Sequence, residues 1–126
     1  MRNAFTMLEL VFVIAVIGIL SAIAIPKFAV TRNDAIITKA KTTVGALRSA
    51  IATERQKRIL KGNFDNITGS DAKGLLEYDF VDNDPRWSLS GNTFTFTAPD
   101  STTCAFTVSS NKLVKGSCSV SGMSDL

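Results

Sequence analysis

The sequence predicts an α+β fold, in which one long N-terminal helix carries a small antiparallel β-sheet of about four strands. Three observations support this prediction. Residues 7–25 form an almost unbroken apolar run. Further along, apolar residues recur at three- and four-residue steps, which is the spacing of one helix face. Residues 86–118 then alternate between apolar and polar side chains, as strands with one buried face do.

The composition limits the function. The chain has 126 residues, enough for one domain with a modest core. Its formal net charge of +3 is too small to indicate nucleic-acid binding, which stays a minor alternative. The absence of histidine excludes imidazole bases, His-paired nucleophiles and His-ligated metals. No convergent set of carboxylates or lysines is visible, so we predict that the protein is not an enzyme and has no catalytic residues.

The apolar run has the length of a membrane span. At 1.5 Å per residue, a helix over residues 7–25 is about 28 Å long, close to the roughly 30 Å hydrocarbon core of a bilayer. Arg2 precedes the run, and positive residues favour the cytoplasmic side. We therefore expect a single-pass membrane protein with its N-terminus in the cytoplasm.

Glu9 is the one charged residue within the run. A carboxylate in a spanning helix costs about 2.5–3.5 kcal/mol on insertion scales, so it is a functional-site candidate. The alternative is that Glu9, near the start of the helix, only extends its carboxylate to the lipid headgroups.

Two other interpretations of the N-terminus are open. Residues 21–24 contain a small-x-small pattern, and a signal-peptidase cut near Ala24 would release a soluble, Sec-exported binding domain. Against this, the run is longer than the apolar core of an ordinary signal peptide, and Glu9 would have no role in a discarded segment. The second alternative is a membrane-anchored periplasmic domain that never polymerises.

The start of the chain also resembles a known family. The residues Ala-Phe-Thr-Met-Leu-Glu-Leu at 4–10 follow a short basic leader and precede the apolar run and Pro26. This arrangement resembles the N-terminus of type IV pilins and type II secretion pseudopilins. The resemblance implies a structural subunit of a filament that is assembled from the bacterial inner membrane and serves type II secretion, a type IV pilus or DNA uptake.

The resemblance also implies a division of the chain and a set of partners. The parts are a leader (1–4), a transmembrane and filament-core half of the helix (5–26), and a periplasmic head that includes the rest of the helix (27–126). In this family a prepilin peptidase removes the leader and methylates the new N-terminus. The cut then falls between Ala4 and Phe5, and Phe5 is N-methylated. The family usually has glycine before the cut, so alanine there should slow processing.

Further partners implied by the resemblance are copies of this chain, other pilins or pseudopilins, an inner-membrane platform and an assembly ATPase. Glu9 of an incoming subunit would meet the Phe5 amine of a neighbour, in a filament in the periplasm or on the cell surface. Opposite charges near a low-dielectric interior are costly alone and less costly together. Because one axial stagger of the helices pairs them, we expect Glu9 to set the filament register.

Gly18 and Pro26 weaken the N-terminal helix. Glycine costs about 1 kcal/mol relative to alanine, and proline removes a backbone hydrogen bond. The residues alone predict a kink at Pro26. In type IV pilins such a window is extended in the assembled filament, so the resemblance implies partial melting between these two residues.

Beyond Pro26 the pattern is amphipathic, and one helix is expected from about Phe5 to Lys61. Gly62 followed by Asn63 is a typical helix stop. The basic residues at 55–61 are interpreted as a solvated helix end. The predicted buried face consists of Ile36 or Ile37, Ala40, Val44, Leu47 and Ile51.

Residues 63–85 form a connector after this helix, and it is predicted to contain a short helix at residues 71–76, capped by Ser70. The acidic and amide residues that follow are Asp79, Asp82, Asn83 and Asp84. Calcium prefers several oxygen ligands in one loop, and some major pseudopilins bind calcium, but this spacing matches no calcium loop. We expect an exposed acidic turn, with calcium as the alternative and no other cofactor.

The first of two predicted hairpins turns at residues 91–92. A two-residue turn there places Leu89 opposite Phe94 and Trp87 opposite Phe96, so that all four side chains share one face.

The second hairpin has two candidate registers. A two-residue turn at 110–111 pairs Phe106 with Lys115, whereas a three-residue turn pairs Val108 with Val114 and also brings the two cysteines together. We therefore predict the three-residue turn and a Cys104–Cys118 disulfide, with two reduced thiols as the alternative. The polar residues after 119 are expected to form a loose tail.

Overall fold

The computed structural model describes residues 3–126. The helices are α1 (Met7–Leu60), α2 (Gly69–Lys73) and α3 (Phe80–Asn83). The strands are β1 (Trp87–Ser90), β2 (Thr93–Thr97), β3 (Thr103–Ser109) and β4 (Lys112–Cys118). The contacts divide the chain into an N-terminal unit that ends at Asp34 and a C-terminal unit, Ala35–Leu126. The predicted fold class, a long N-terminal helix with a four-stranded antiparallel sheet, is confirmed.

Both ends of α1 have defined caps. At the start, the Glu9 N–H donates to the Thr6 hydroxyl at 3.2 Å, which makes Thr6 the N-cap. At the end, Gly62 adopts a φ of 76°. Its N–H donates to the Ile59 carbonyl at 3.0 Å, and the Asn63 N–H donates to the Arg58 carbonyl at 2.9 Å. This Schellman motif needs a left-handed residue, which explains the glycine and confirms the predicted stop.

One stripe of α1 belongs to the core of the C-terminal unit. Ala40, Val44, Leu47 and Ile51 are buried, as the periodicity predicts, and Ile36 and Ile37 pack beside them. The sheet supplies the aromatic part of the core: Trp87, Phe94, Phe96 and Phe106, with Phe80 from α3. The ring centroids of Phe80 and Trp87 are 5.0 Å apart, in an edge-to-face arrangement that aromatic pairs prefer.

The connector differs from its prediction. The short helix α2 is capped by Thr68 and not by Ser70, because a capping box forms two residues earlier. The Thr68 hydroxyl accepts from the Asp71 N–H at 3.2 Å, and the Asp71 carboxylate accepts from the Thr68 N–H at 3.0 Å. The predicted acidic turn contains the short helix α3, capped by Asp79.

The sheet is fully antiparallel, in the order β1-β2-β3-β4. In the first hairpin, Trp87 pairs with Phe96 and Leu89 with Phe94, which confirms the predicted register.

The register predicted for the second hairpin is wrong near its turn. Ser110 and Asn111 form a two-residue turn with φ values of 51° and 63°, a geometry that matches the twist of the flanking strands. Phe106 therefore pairs with Lys115 and Val108 with Leu113, while Val114 points to solvent. The Lys115 ammonium is satisfied by the Ser124 carbonyl. A register shift further along β4 then aligns Cys104 with Cys118.

The C-terminal residues are not the expected loose tail. The structure contains the predicted Cys104–Cys118 disulfide. After it, Val120 and Met123 are buried in the core. The Arg48 guanidinium donates to the Leu126 carbonyl at 2.9 Å, so the last residues pack against α1.

The turns of the two hairpins hold the connector in place. The Asn92 side-chain carbonyl accepts from the Gly69 N–H at 2.8 Å. The Asn111 side-chain carbonyl accepts from the Ile67 N–H, also at 2.8 Å, and the Ile67 side chain is buried. Each asparagine thus accepts a hydrogen bond from a connector N–H that has no backbone acceptor in a helix or sheet.

A substitution at Gly69 tests this packing. A Cβ there would press against the Gly91 carbonyl oxygen and lie 2.8 Å from the Asn92 Cα, so the backbone of the turn would have to move. We expect Gly69→Ala to destabilise the folded state by about 1–3 kcal/mol, as overpacking does. The measurement is thermal unfolding of the detergent-solubilised full chain, followed by near-UV circular dichroism of the buried Trp87.

Gly45→Ala is the matched control, because at this helical position no atom other than those of the adjacent residues and the helix backbone lies within 4 Å of a Cβ. Alanine there should be neutral or stabilising by up to about 1 kcal/mol. Equal unfolding temperatures for the two variants would contradict the packing described for Gly69.

Candidate functional site

The N-terminal half of α1 and Phe5, which precedes it, expose apolar side chains on every face. The exposed large apolar residues are Phe5, Met7, Leu8, Leu10, Val11, Phe12, Val13, Ile14, Val16, Ile17, Ile19, Leu20, Ile23, Ile25, Phe28 and Val30. We call this the apolar surface. A globular protein covers such residues, whereas a helix that is apolar all round belongs in a membrane or among other helices.

Within residues 3–126, α1 is the helix long and apolar enough to cross a membrane, and its most apolar stretch is not buried in the structure. By length and composition it fits a membrane anchor. The expected orientation depends on the charge of Arg2, and Arg2 is outside the described residues.

Glu9 places a carboxylate within the apolar surface. It lies in the first turn of α1, and its side chain is exposed. Thr6 and Glu9 have the spacing of a capping box, yet only the half with the Thr6 hydroxyl as acceptor is formed. Among residues 3–126, the Glu9 carboxylate makes no hydrogen bond and no ion pair. It is therefore available to a group from outside the chain.

The expected cleavage point precedes α1. Ala4 and Phe5 are outside the helix and exposed, with Phe5 82% accessible. A bond in exposed, non-helical chain is open to a protease. The helix was expected to start at about Phe5, but α1 begins at Met7. Phe5 and Glu9 therefore do not share one face of a regular helix.

Gly18 and Pro26 both lie inside α1, which is helical without a break from Met7 to Leu60. Pro26 has no N–H, so the carbonyl of Ala22 lacks its helical partner. The predicted kink and melting between Gly18 and Pro26 stay predictions.

In the connector, the carboxylates of Asp79, Asp82 and Asp84 are engaged by the protein itself. Asp79 accepts from the N–H groups of Asp82 and Val81, both at 3.1 Å. Asp82 binds the Lys73 ammonium at 2.8 Å, and Asp84 lies 3.5 Å from the Lys39 ammonium. In the part of the chain that the structure describes, no group of three or more His, Cys, Asp or Glu residues is arranged to hold a metal ion.

The basic residues near the end of α1 are also engaged, and are not simply a solvated helix end. Arg58 lies 3.1 Å from Glu54 and 3.3 Å from Asp71, which joins α1 to α2. Arg55 donates to the carbonyls of Phe64 and Asp65 at 3.4 Å. These side chains hold the connector against the helix.

Of the expected site residues, Ala4, Phe5 and Glu9 lie together at the start of α1, and Cys104 and Cys118 are bonded in the sheet. Sequence reasoning missed Thr6 as the cap of α1. Its signal was present, since threonine three residues before glutamate, at the start of an apolar run, is a typical helix start.

Comparison with known proteins gives several curated relatives. A type IV narrow pilus major component, PilA5, of Thermus thermophilus is 35% identical over 110 residues, which cover 86% of this chain and 82% of the relative. A fimbrial protein of Moraxella nonliquefaciens is 42% identical over 83 residues, covering 60% of this chain and 54% of the relative. The type IV major fimbrial protein FimA of Dichelobacter nodosus is 38% identical over 86 residues, covering 64% of this chain and 51% of the relative.

The chain thus spans about half the length of the Moraxella and Dichelobacter relatives that it matches, and most of the Thermus relative. No family model and no solved structure gives a significant match.

The carboxylates of Asp71 and Asp79 are expected to make the folded state less stable in acid. Hydrogen bonds from backbone N–H groups, that of Asp82 first, hold the pKa of Asp79 below its ordinary value of 3.8. The backbone N–H of Thr68 does the same for Asp71. Since folding lowers these pKa values, the stabilisation is complete at about pH 6, well above the unfolded-state values, and is lost as the pH falls through about pH 4 toward the folded-state values.

We therefore expect the unfolding temperature of the full chain in detergent to fall between about pH 6 and about pH 3, and to fall less in Asp79→Asn. Asp65→Asn is the control, because the Asp65 carboxylate makes no hydrogen bond or ion pair within residues 3–126. An unchanged fall in Asp79→Asn would contradict the role given to this cap.

Proposed function

Since the chain belongs to the type IV pilin family, we propose that it is a structural subunit that polymerises into a filament from the inner membrane. The observation that carries this proposal is the apolar surface, which contains one carboxylate without a partner in the described chain. A membrane anchor alone accounts for the apolar side chains. It does not account for the carboxylate.

Different interactions determine whether the helices associate and how they are aligned along their axes. Covering one large apolar side chain from water is worth about 1.5–3 kcal/mol, so the apolar surface is attracted equally to lipid and to other apolar helices. This attraction has no direction along the helix axis, because one apolar position resembles the next. A charge pair at low dielectric has a sharp optimum in distance. In this proposal Glu9 of one subunit therefore fixes the axial position of its neighbour by meeting the amine of Phe5.

That amine exists only after cleavage. In the uncut chain the Phe5 nitrogen belongs to a peptide bond, which carries no charge. A prepilin peptidase would cut between Ala4 and Phe5 and methylate Phe5, which makes processing the step that permits assembly. The other partners in the proposal are an inner-membrane platform, an assembly ATPase and further pilins, with the C-terminal unit in the periplasm before assembly.

Among the filament systems, we place this chain in a type IV pilus. The relatives are named as pilus or fimbrial components, and the chain has a disulfide late in its sequence, as many type IV pilins do. A type II secretion filament and a DNA-uptake filament are the alternatives.

The mass of the N-terminal peptide, from protein purified from its own membranes, tests processing. We expect a peptide that begins at Phe5 and carries one additional methyl group. A peptide that begins near Ile25 would instead mean a secreted soluble protein. An intact leader would mean a permanently anchored domain, and either of these two results would contradict the proposal.

Glu9→Ala tests the register role. We expect the variant to be made and inserted at the level of the unchanged chain and to be lost from sheared filaments, because the growing filament loses its charge pair. The measurement is immunoblotting of the membrane and sheared fractions. Ser21→Ala, a polar residue changed within the same apolar run, is the control and should assemble normally. Normal incorporation of Glu9→Ala would refute the role.

A further inference from the structure

The C-terminal unit has an open apolar groove beside α1. Its volume is about 290 Å³. One side is formed by Thr42, Thr43 and Ala46 of α1, and the other by Leu76, Tyr78 and Phe80 of the connector. The small α1 residues leave space beneath the larger connector side chains. The groove is large enough for one or two side chains.

Two charged residues line this groove, and only one of them is neutralised. The Lys39 ammonium lies 3.5 Å from the Asp84 carboxylate and 5.8 Å from the centre of the Tyr78 ring. Glu77 is exposed and makes no ion pair or side-chain hydrogen bond with any described residue. The groove therefore combines apolar walls with an uncompensated negative charge at its edge.

A complementary surface lies on the N-terminal unit. Ile25, Phe28 and Arg32 are spaced by three and four residues, so they share one face of α1. Ile25 and Phe28 are 69% and 73% exposed. The exposed Arg32 has no ion pair within residues 3–126. This face thus presents two apolar side chains followed by a cation.

Phe28 and Arg32 lie beyond the stretch that the bilayer covers. A span of about 20 residues that starts at Met7 ends near Pro26, so Phe28 falls outside the hydrocarbon core and needs another cover. A filament built by repeating one contact joins two different surfaces of successive copies. An apolar and cationic helix face matches an apolar groove with a free carboxylate.

We propose that the groove of one subunit receives the face formed by Ile25, Phe28 and Arg32 of a neighbouring copy. The apolar side chains occupy the space between Ala46, Leu76 and Tyr78, and the Arg32 guanidinium pairs with the Glu77 carboxylate. This contact rests on the proposed filament function. It adds a second register contact, at the C-terminal end of the apolar surface, to the one at Glu9.

A charge exchange tests this contact in cells that make filaments from the unchanged chain. The variants are Glu77→Arg, Arg32→Glu and the two together, and the readout is the ratio of sheared to membrane-bound subunit. Each single variant places like charges together, so we expect at least about a fivefold loss of filament at unchanged membrane level. The double variant restores opposite charges and should return to within about twofold of the unchanged chain.

Asp65→Arg is the matched control, because Asp65 is also an exposed carboxylate without an ion pair in the described chain but lies outside the groove. Alone it should leave assembly intact, and it should not rescue Arg32→Glu. Normal assembly of the single exchanges, failure of the double exchange, or equal rescue by Asp65→Arg would each overturn the contact. Absence of filaments from the unchanged chain would overturn the filament function itself.

Discussion

The uncovered apolar half of α1 is the constraint on which the rest of the molecule depends. In water, exposed apolar side chains on every face of a helix are unfavourable, so this half requires lipid or other helices around it. Both surroundings are equally apolar, and transfer between them costs little. This half of α1 is therefore compatible with a bilayer and with a bundle of apolar helices. Glu9 interrupts this surface with a carboxylate that makes no ion pair within residues 3–126. In the proposed filament, a partner of opposite charge for this carboxylate would distinguish the bundle from lipid.

The C-terminal unit meets a different requirement, which is to remain folded with a small core. Helix caps, side-chain hydrogen bonds and a disulfide supplement its apolar packing. Thr68 and Asp79 cap the two short helices, Asn92 and Asn111 bind the connector backbone, and a disulfide joins β3 to β4. In the chain-entropy account a disulfide around a loop of this size contributes about 3 kcal/mol, which is a large share of the stability of a small domain.

Periodicity was sufficient to predict the helix, its buried stripe and the first hairpin, because each follows from residues close in sequence. For the second hairpin, the disulfide was predicted correctly and the turn was predicted wrongly. The strand register changes between the turn and Cys118, so the pairing of the cysteines did not reveal the length of the turn. Burial of Met123 had no signal, because it is one apolar residue among polar neighbours. At the site, the motif around Phe5 and Glu9 was visible in sequence. The groove was not, since its walls come from segments about thirty residues apart.

The burial of Val120 and Met123 has a consequence for the order in which the protein is made. These residues complete a core whose first member, Ala40, is synthesised some eighty residues earlier. Contacts between such distant positions form late, and a partly translated chain cannot supply them. The C-terminal unit thus stays incompletely folded until its last residues have been synthesised.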